Sequence, residues 1–157
     1  MIAAIALGSN LTSQFGDPSA NLHEAVRRLG DIGTLTAVSS FYVTKPVGLL
    51  DQPDFVNAAV LLETELGPLE LLRGMLLLEH QMGRDRAKVA PKGPRIIDLD
   101  LLLYSDLMLN DPELTLPHPA MHERKFVLEP LAEIAGSLIH PGFKKTVSEL
   151  LAVCPHG

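Results

Sequence analysis

The sequence predicts an α+β fold with a ferredoxin-like βαββαβ core, in which helices pack on a mostly antiparallel sheet. The length of 157 residues suits one domain, so we treat 1–157 as a single unit. Hydrophobic residues form 46% of the chain and aromatic residues only 4%, which predicts a core of Leu, Ile, Val and Ala. The order of strand-like and helix-like segments matches the split βαβ pattern.

The first part of the chain supplies two strands and a helix. The apolar run 2–7 predicts a short buried strand that ends at the turn residues of 8–10. A helix is expected over 21–30, with Asn21 as its N-cap and a glycine at its end. The stretch 35–44 is rich in β-branched and aromatic residues and therefore predicts a second strand.

The middle of the chain repeats this pattern. A loop with two prolines covers 45–54, and a strand is expected over 55–64. The stretch 68–83 begins with proline and ends with glycine, which predicts a helix. A basic loop at 84–94 leads into a strand at 95–104, which we expect to be central because it is apolar on both faces.

The last part of the chain predicts two further helical segments. The stretch 114–136 runs from a proline-rich loop into a helix that Pro130 should interrupt or begin anew. A short helix is expected over 146–153, because Thr146 and Glu149 have the spacing of a capping box.

Composition argues against several classes of protein. A lone cysteine, Cys154, excludes an internal disulfide framework and fits a reducing compartment. We find no signal-peptide pattern at the start, and no apolar run approaches the ~18 residues of a membrane span. The net charge of -6 disfavours general nucleic-acid binding. We therefore expect a cytoplasmic monomer that binds neither nucleic acid nor membranes.

Two aspartates interrupt the apolar strand in "IIDLDLLLY". Residues i and i+2 of a strand share a face, so Asp98 and Asp100 should project side by side, about 7 Å apart. Like charges so close stay ionised together when a cation lies between them, and Mg²⁺ prefers such oxygen ligands. A strand end at which both carboxylates reach solvent is the other interpretation.

A basic cluster lies just upstream, in a chain that is acidic overall. Five cationic residues fall within twelve positions: Arg84, Arg86, Lys88, Lys92 and Arg95. Guanidinium groups suit phosphate oxygens, so a carboxylate pair beside this cluster indicates a nucleoside triphosphate bound with magnesium. The standard phosphate-binding motifs are absent from the sequence, so such binding would not use a P-loop. A solvated charged loop is the alternative.

A third feature is the stretch "DQPDFVNAAV". Strand alternation places Phe55 and Asn57 on one face, where a ring can stack on a flat ligand and an amide can pair with a heterocycle edge. A core phenylalanine beside a strand asparagine is the plainer interpretation. His118 and His122 are four residues apart, but the prolines around His118 argue against a zinc site on one helix face.

With these stretches placed, the chain resembles the 6-hydroxymethyl-7,8-dihydropterin pyrophosphokinases of the folate pathway over nearly its whole length. Each matching block is weak alone, and their ordered set is specific. The blocks are "ALGSNL" (6–11), "VSSFYVTKPVG" (38–48), "DQPDFVNAAV" (51–60), "GRDR" (83–86), "GPRIIDLDLLLY" (93–104), "LTLPHP" (114–119) and "RKFVLEPLAEIA" (124–135).

The resemblance implies that magnesium-ATP donates its β,γ-pyrophosphate to the hydroxymethyl oxygen of the pterin and releases AMP. It also implies that two Mg²⁺ ions bridge the ATP phosphates and are held by Asp98 and Asp100, and that the basic loop closes over the reactants. The pterin would be bound by Thr44, Val47, Phe55, Asn57 and Phe126, with the two rings stacking on its faces. The ATP contacts would be Glu79, Arg84, Arg86, Arg95, Leu101, Thr115, His118 and Arg124, and the residues acting in catalysis Arg84, Arg86, Arg95, Asp98 and Asp100.

Some positions depart from the enterobacterial form of that family. Lys92 stands in place of a loop tryptophan, Glu113 in place of an arginine, and Pro119 in place of a tyrosine. Phe55 replaces a tyrosine but keeps the ring. A nucleotidyltransferase also pairs a Gly-Ser turn with an Asp-x-Asp strand, but it keeps the two close together. Here Ser9 lies almost ninety residues before Asp98, which disfavours that class. A non-catalytic ferredoxin-like module that binds a metal or a nucleotide remains the second hypothesis.

Overall fold

The computed structural model describes residues 1–46, 51–84 and 94–155. Strands and helices alternate as the split βαβ pattern requires. The strands are β1 (Ile2–Ser9), β2 (Thr34–Val38), β3 (Tyr42–Thr44), β4 (Phe55–Glu63), β5 (Asp98–Tyr104), β6 (Leu109–Asn110), β7 (Thr115–Leu116), β8 (Ile139–His140) and β9 (Lys145–Thr146). The helices are α1 (Pro18–Leu29), α2 (Pro68–Gln81), α3 (Lys125–Ala135) and α4 (Val147–Ala152), with a 3-10 turn at Met121–Glu123.

The main sheet has five strands, and its strand order confirms the predicted ferredoxin-like topology. The order is β2-β4-β1-β5, and β3 pairs with the first residues of β4. Every paired neighbour runs antiparallel. Two small hairpins, β6-β7 and β8-β9, lie outside this sheet, and the sequence patterns did not predict them.

Helices cover both faces of the sheet, so the core has two layers. On one face, α1 and α2 pack against large aliphatic side chains of β1, β4 and β5. On the other face, α3 and α4 pack against a smaller set of apolar residues. Because helices cover both faces, β1, β4 and β5 are largely apolar on both sides, whereas β2 and β3 expose alternate residues.

The first strand is longer than the sequence pattern suggested. Gly8 and Ser9, expected in a turn, continue β1 because they pair with Asn57 and Val56 of β4. The extra two residues extend the strand to the end of the sheet where polar side chains collect.

The first helix also begins earlier than expected. Its N-cap is Asp17, whose Oδ1 accepts a hydrogen bond from the N–H of Ala20 at 2.9 Å, so the assignment of the cap to Asn21 was wrong. Asn21 lies inside the helix and is fully buried, where its amide donates to the carbonyl of Leu11 at 2.7 Å and to the Ser9 hydroxyl at 3.2 Å. The asparagine therefore ties α1 to the end of β1.

The predicted strand 35–44 is divided. β2 and β3 pair with different parts of β4, and 39–41 lies between them. The helix predicted at 68–83 and the strand predicted at 55–64 are confirmed as α2 and β4 within two residues at each end.

The position of β5 in the sheet differs from the prediction. β5 is an edge strand, not a central one. It is nevertheless buried, because helices cover both its faces and the backbone N–H of His118 donates to the carbonyl of Leu102 at 2.9 Å along its outer edge. Apolar residues on both faces therefore predicted burial correctly and position in the sheet wrongly.

The effect predicted for Pro130 was also wrong, because α3 continues through it. The fixed φ of proline is compatible with a helix, and the cost is one lost backbone hydrogen bond. Burial of Val127, Leu128 and Leu131 against the sheet offsets that cost. The capping box predicted for the last helix is confirmed, because Thr146 and Glu149 bond reciprocally at the start of α4.

Candidate active site

A cleft of about 580 Å³ opens at one end of the main sheet, on the face that α3 covers. Its floor is a row in which three strands meet in register: Asn57 of β4 lies opposite Gly8 of β1, and Gly8 lies opposite Asp98 of β5. Neighbouring strands are about 4.8 Å apart, so Asn57 and Asp98 lie about 10 Å apart across the bare backbone of Gly8.

Small side chains in β1 create the space for this cleft. The residues of β1 that face α3 are Ala4, Ala6 and Gly8, whereas Ile5 and Leu7 face the α1–α2 core. A Cβ at position 8 would lie 3.1 Å from Oδ1 of Asn57, which is closer than an ordinary contact. Glycine is therefore the residue that leaves the Asn57 amide in place.

The two aspartates of β5 line the same cleft, as the strand period predicted. Asp98 accepts hydrogen bonds from two guanidinium groups: Arg84 donates to Oδ1 at 2.7 Å and Arg95 to Oδ2 at 3.1 Å. Asp100 lies in the next row, opposite Ala6. The cleft thus has a carboxylate pair with two arginines directly against it.

Glu79 of α2 lies behind this pair, in the core. Its side chain is nearly fully buried, and its Oε2 accepts from the N–H of Leu99 at 2.6 Å and from Arg84 at 3.0 Å. The same Arg84 nitrogen also donates to the carbonyl of Ile97 at 3.1 Å. A buried carboxylate is tolerated when such donors compensate it. Glu79 therefore fixes Arg84, which in turn contacts Asp98.

The opposite wall of the cleft combines aromatic rings with an amide. Asn57 donates from Nδ2 to Oγ1 of Thr44, which fixes the amide so that its oxygen remains an acceptor. The guanidinium carbon of Arg95 lies over the ring of Phe55, 5.5 Å from the ring centroid. The guanidinium carbon of Arg124 lies over the ring of Phe126 of α3, 5.9 Å from its centroid. This wall could hold a flat heterocycle by stacking and by edge hydrogen bonds.

Asn10 connects the two walls, and the sequence patterns assigned it no role. It is almost fully buried; its Nδ2 donates to Gln52 at 2.8 Å and to the carbonyl of Pro53 at 3.0 Å. Its Oδ1 accepts from the backbone N–H of Arg95 at 2.8 Å, and its own N–H donates to the Arg95 carbonyl at 3.1 Å. The block "ALGSNL" marked this residue, but only the tertiary structure shows its partners.

Further residues line the cleft that sequence reasoning did not single out. Three belong to the first half of α3 or the turn before it, and two directly follow β3. They are Glu123, Lys125, Glu129, Lys45 and Pro46. Their alternating charges along two separate elements gave no periodic signal in the sequence.

The remaining predicted site residues are distributed around the cleft. Thr115 and His118 line a neighbouring cavity of about 430 Å³. Leu101 is buried in the α1–α2 core, on the face of β5 away from the aspartates. Val47 and Arg86 lie outside the described residues, as does Lys92. Glu113 is exposed, where it pairs with Arg73 of α2 at 2.8 Å.

Electrostatics place His118 close to the charged end of the cleft. Burial is the largest cause that lowers the pKa of His118 below 6.5, and the positive charge of Arg124 lowers it further. The negative charge of Asp98 acts in the opposite direction. His118 is therefore held neutral near pH 7, with Nδ1 accepting from the N–H of Ala120 at 3.1 Å.

The carboxylate pair suits one kind of metal. Within the described residues no group of three or more His, Cys, Asp or Glu side chains could hold a metal ion. Two carboxylates facing a cleft lined by arginines fit Mg²⁺, which commonly takes its other ligands from phosphate and water. They do not fit a structural zinc site, which needs four protein ligands.

The class of protein follows from the fold and the cleft together. A ferredoxin-like α+β domain presents, in one cleft, carboxylates and arginines suited to magnesium and phosphate and a ring-and-amide wall suited to a flat heterocycle. This combination is typical of proteins that bind a nucleotide-like polyanion together with a planar partner.

Comparison with known proteins identifies the family. Residues 4–136 match the family model of 7,8-dihydro-6-hydroxymethylpterin-pyrophosphokinase (HPPK). A 2-amino-4-hydroxy-6-hydroxymethyldihydropteridine pyrophosphokinase from Haemophilus influenzae is 43% identical over 95% of this chain and 90% of its own length. One of the same name from Bacillus subtilis is 47% identical over 85% of this chain and 77% of its own. The chain belongs to the HPPK family, and is accordingly a pyrophosphokinase, a diphosphotransferase of folate biosynthesis.

A solved structure agrees on the fold. A crystal structure of a Plasmodium falciparum HPPK-DHPS variant matches with a TM-score of 0.73 and covers 96% of this chain. The chain spans 45% of that longer protein, and the identity is 16%, so this likeness concerns the fold alone. No helix in the described ranges is long and apolar enough to cross a membrane.

Proposed function

We propose that this chain transfers the β,γ-pyrophosphate of ATP to the hydroxymethyl oxygen of 6-hydroxymethyl-7,8-dihydropterin and releases AMP. The observation that carries the proposal is the row Asn57–Gly8–Asp98, which sets an amide suited to a heterocycle about 10 Å from a carboxylate suited to magnesium. That spacing leaves room between them for the alcohol and the phosphates.

The pterin half of the cleft is formed by β3, β4 and α3. Phe55 and Phe126 would stack on the two faces of the ring, and the Asn57 amide, fixed by Thr44, would pair with its edge. Val47 lies outside the described residues, and it is proposed as a further pterin contact on the resemblance alone. A planar ligand loses little conformational entropy in such a slot, which favours binding.

The phosphate half is formed by β5 and the residues around it. Asp98 and Asp100 would hold Mg²⁺, and we propose two ions, as the family resemblance implies. Bound magnesium neutralises phosphate charge and orients the reacting oxygens. Arg84, Arg95 and Arg124 lie against or in the cleft, and Arg86 is proposed to join them from the resemblance. Thr115 and His118 are proposed around the nucleotide from the resemblance. Glu79 is proposed to act through Arg84, and the Leu101 side chain faces the α1–α2 core, so it is not proposed as a side-chain contact.

The chain's own contribution to the chemistry is alignment and charge compensation. Phosphoryl transfer needs little covalent help from side chains, so positioned arginines and excluded water supply most of the effect. Arg84 and Arg95 both donate to Asp98 and would be able to share their hydrogen bonds with incoming phosphate oxygens. The expectation of a cytoplasmic monomer stays a prediction.

One assay tests the proposal. The purified chain is given ATP, Mg²⁺ and 6-hydroxymethyl-7,8-dihydropterin, and the nucleotide product is identified. AMP formed in equal amount to a pyrophosphorylated pterin supports the proposal. ADP as product would indicate a different phosphoryl transfer, and ATP binding without turnover would support a non-catalytic nucleotide-binding module.

A further inference from the structure

The edge of the main sheet is interrupted beside the pterin half of the cleft. Between β2 and β3 the chain separates from β4. At this point Ser39 makes hydrogen bonds to β4 with its backbone N–H and its hydroxyl. The Ser39 N–H donates to the carbonyl of Ala59 at 2.9 Å, and its hydroxyl accepts from the Ala59 N–H at 2.9 Å. The next residue, Ser40, directs its backbone N–H away from β4.

A carboxylate of α3 receives this segment. Glu133 accepts the backbone N–H of Ser40 at 2.9 Å from one oxygen and 3.1 Å from the other, and the Ser40 hydroxyl at 3.1 Å. The Tyr42 hydroxyl donates to the same carboxylate at 2.6 Å. One side chain of α3 therefore holds both the middle of the 39–41 link and the first residue of β3.

Tyr42 stands at the end of the row that forms the cleft floor. It pairs with Asn57, so the row runs Tyr42–Asn57–Gly8–Asp98 across four strands. Directly paired residues of antiparallel strands share a face, so Tyr42 and Asn57 both face α3. Thr44 lies two residues after Tyr42 and therefore on the same face, where its hydroxyl accepts a hydrogen bond from the Asn57 amide.

Glu133 shares one side of α3 with a residue that lines the pterin half. Glu133 lies seven residues after Phe126, which is two helical turns, so both point from the same side of α3. Phe126 lines the pterin half from α3, and Thr44, on the strand that Glu133 holds, lines it from the sheet. β3 is three residues long and, in the described ranges, is paired in the main sheet only with β4, so the bonds to Glu133 add a direct connection to α3.

The charge states suit this arrangement. The hydrogen bond to Glu133 is the largest cause that raises the pKa of Tyr42 to about 12, so the phenol keeps its proton. The bonds from Tyr42 and then Ser40 lower the pKa of the Glu133 carboxyl. Around neutral pH the donor is protonated and the acceptor ionised, which is the stronger form of the bond.

We propose that Glu133 is a positioning residue for the pterin: by holding Ser40 and Tyr42 it fixes β3 against α3, and so fixes the Thr44–Asn57 pair and the gap between Thr44 and Phe126. The residue does not line the cleft and does not touch the reacting groups. Its effect should therefore fall on pterin recognition and leave ATP recognition unchanged. This inference rests on the proposed function.

The experiment compares Glu133→Ala, Glu133→Gln and Tyr42→Phe in steady-state assays with each substrate varied in turn. We expect Glu133→Ala to raise KM for the pterin about tenfold, while KM for ATP changes less than about twofold. Glu133→Gln keeps one acceptor oxygen and should recover part of the loss. Tyr42→Phe removes one of the bonds and should raise the KM for the pterin by less. In the double variant with Glu133→Ala, Tyr42→Phe should cause no further increase, because the bond is already lost.

The control is Glu149→Ala in α4, because Glu149 also accepts a backbone N–H, that of Thr146 at 2.9 Å, without approaching the cleft. Both alanine variants should lower Tm, and only Glu133→Ala should change the KM for the pterin. An unchanged pterin KM in Glu133→Ala, or equal increases for both substrates, would overturn the positioning role. Absence of AMP formation by the unmodified chain would instead count against the proposed function.

Discussion

The two faces of the main sheet differ in the size of the side chains that β1 presents on them. Toward α1 and α2, β1 presents Ile5 and Leu7, which are packed into a continuous aliphatic core. Toward α3, the same strand presents Ala4, Ala6 and Gly8, and at the Gly8 end the face opens into the cleft. One strand thus alternates between a residue that fills space and a residue that leaves it empty.

This difference assigns the two faces separate tasks. The α1–α2 face buries the larger set of apolar side chains, and so it supplies the larger share of the hydrophobic stabilisation of the sheet. The α3 face has less side-chain volume at the cleft, and its polar residues are held by hydrogen bonds, Asn57 to Thr44 of the neighbouring strand and Asp98 from Arg84 and Arg95. Substitutions on one face should therefore change stability, and substitutions on the other should change catalysis.

The largest effect is expected at the charged end of the α3 face. Asp98→Asn or Asp100→Asn keeps the side-chain shape and removes a charge that would hold magnesium, so we expect kcat to fall by roughly a hundredfold or more. Pterin binding, measured by calorimetry, should stay close to that of the unmodified chain.

The matched control for these variants is Asp106→Asn, an exposed aspartate just beyond the opposite end of β5. Its kcat should equal that of the unmodified chain. A near-normal rate in either cleft variant would refute the assignment of the aspartates to the metal.

The closed face should respond in stability. Ile5 is completely buried in the α1–α2 core, and Ile5→Ala should lower the free energy of unfolding by about 2–5 kcal/mol through lost burial and a residual cavity. Urea denaturation measures the loss. Below the melting transition, KM for both substrates should be unchanged, and a selective change in KM would show that the two faces are not independent.

A smaller effect is expected where one methyl group enters the cleft floor. In Gly8→Ala the new Cβ would lie 3.1 Å from Oδ1 of Asn57 and would displace the amide by a few tenths of an ångström. We expect the KM for the pterin to rise about threefold to tenfold, since a displaced amide weakens its hydrogen bonds to the ligand.

Gly74→Ala in α2 is the control for that glycine. A Cβ there would meet Ile32 at an ordinary 3.6 Å, and alanine in a helix interior should stabilise the chain by about 0.5–1 kcal/mol. An unchanged pterin KM in Gly8→Ala would mean that Asn57 does not need its present position.

The smallest effect concerns pH. Burial and then the charge of His122 lower the pKa of His140, and burial lowers that of His118. The pKa values of both histidines in the folded chain lie below 6.5, so the folded chain favours their neutral forms. Their contribution to the free energy of unfolding is therefore complete above about pH 6.5 and is lost as the pH falls through the folded pKa values. His140→Asn keeps an acceptor for the N–H groups of Gly142 and Phe143. This variant should lose less Tm than the unmodified chain between about pH 7 and 5; an equal loss would show that protonation of His140 does not destabilise the fold.

Much of the fold was predictable because it depends on local patterns. Apolar runs, the proline and glycine at the ends of α2, and the capping box of α4 fixed the element order, and the order implied the sheet topology. The errors have a common cause. The cap of α1, the division of 35–44 and the edge position of β5 depend on which distant segment completes each hydrogen bond, and periodicity carries no such information.

The candidate site shows the same division. Strand alternation was enough to put Asp98 and Asp100 on one face of their strand, and Phe55 and Asn57 on one face of theirs; the structure brings both pairs into one cleft. Alternation could not reveal that Glu79 lies behind Arg84 in the core, nor that Asn10 joins both walls. These are contacts between residues far apart in the sequence, made through single polar atoms that leave no periodic trace.

By itself, the sequence determined which residue types lie on each face of each strand, because side chains alternate with a period of two whatever the strand's neighbours. It also determined the family, through ordered blocks. Only the tertiary structure decided the register that sets Asn57, Gly8 and Asp98 in one row, and the hydrogen bonds by which Glu133 holds the end of that row. Register is a relation between strands, and it exists only once the strands have paired.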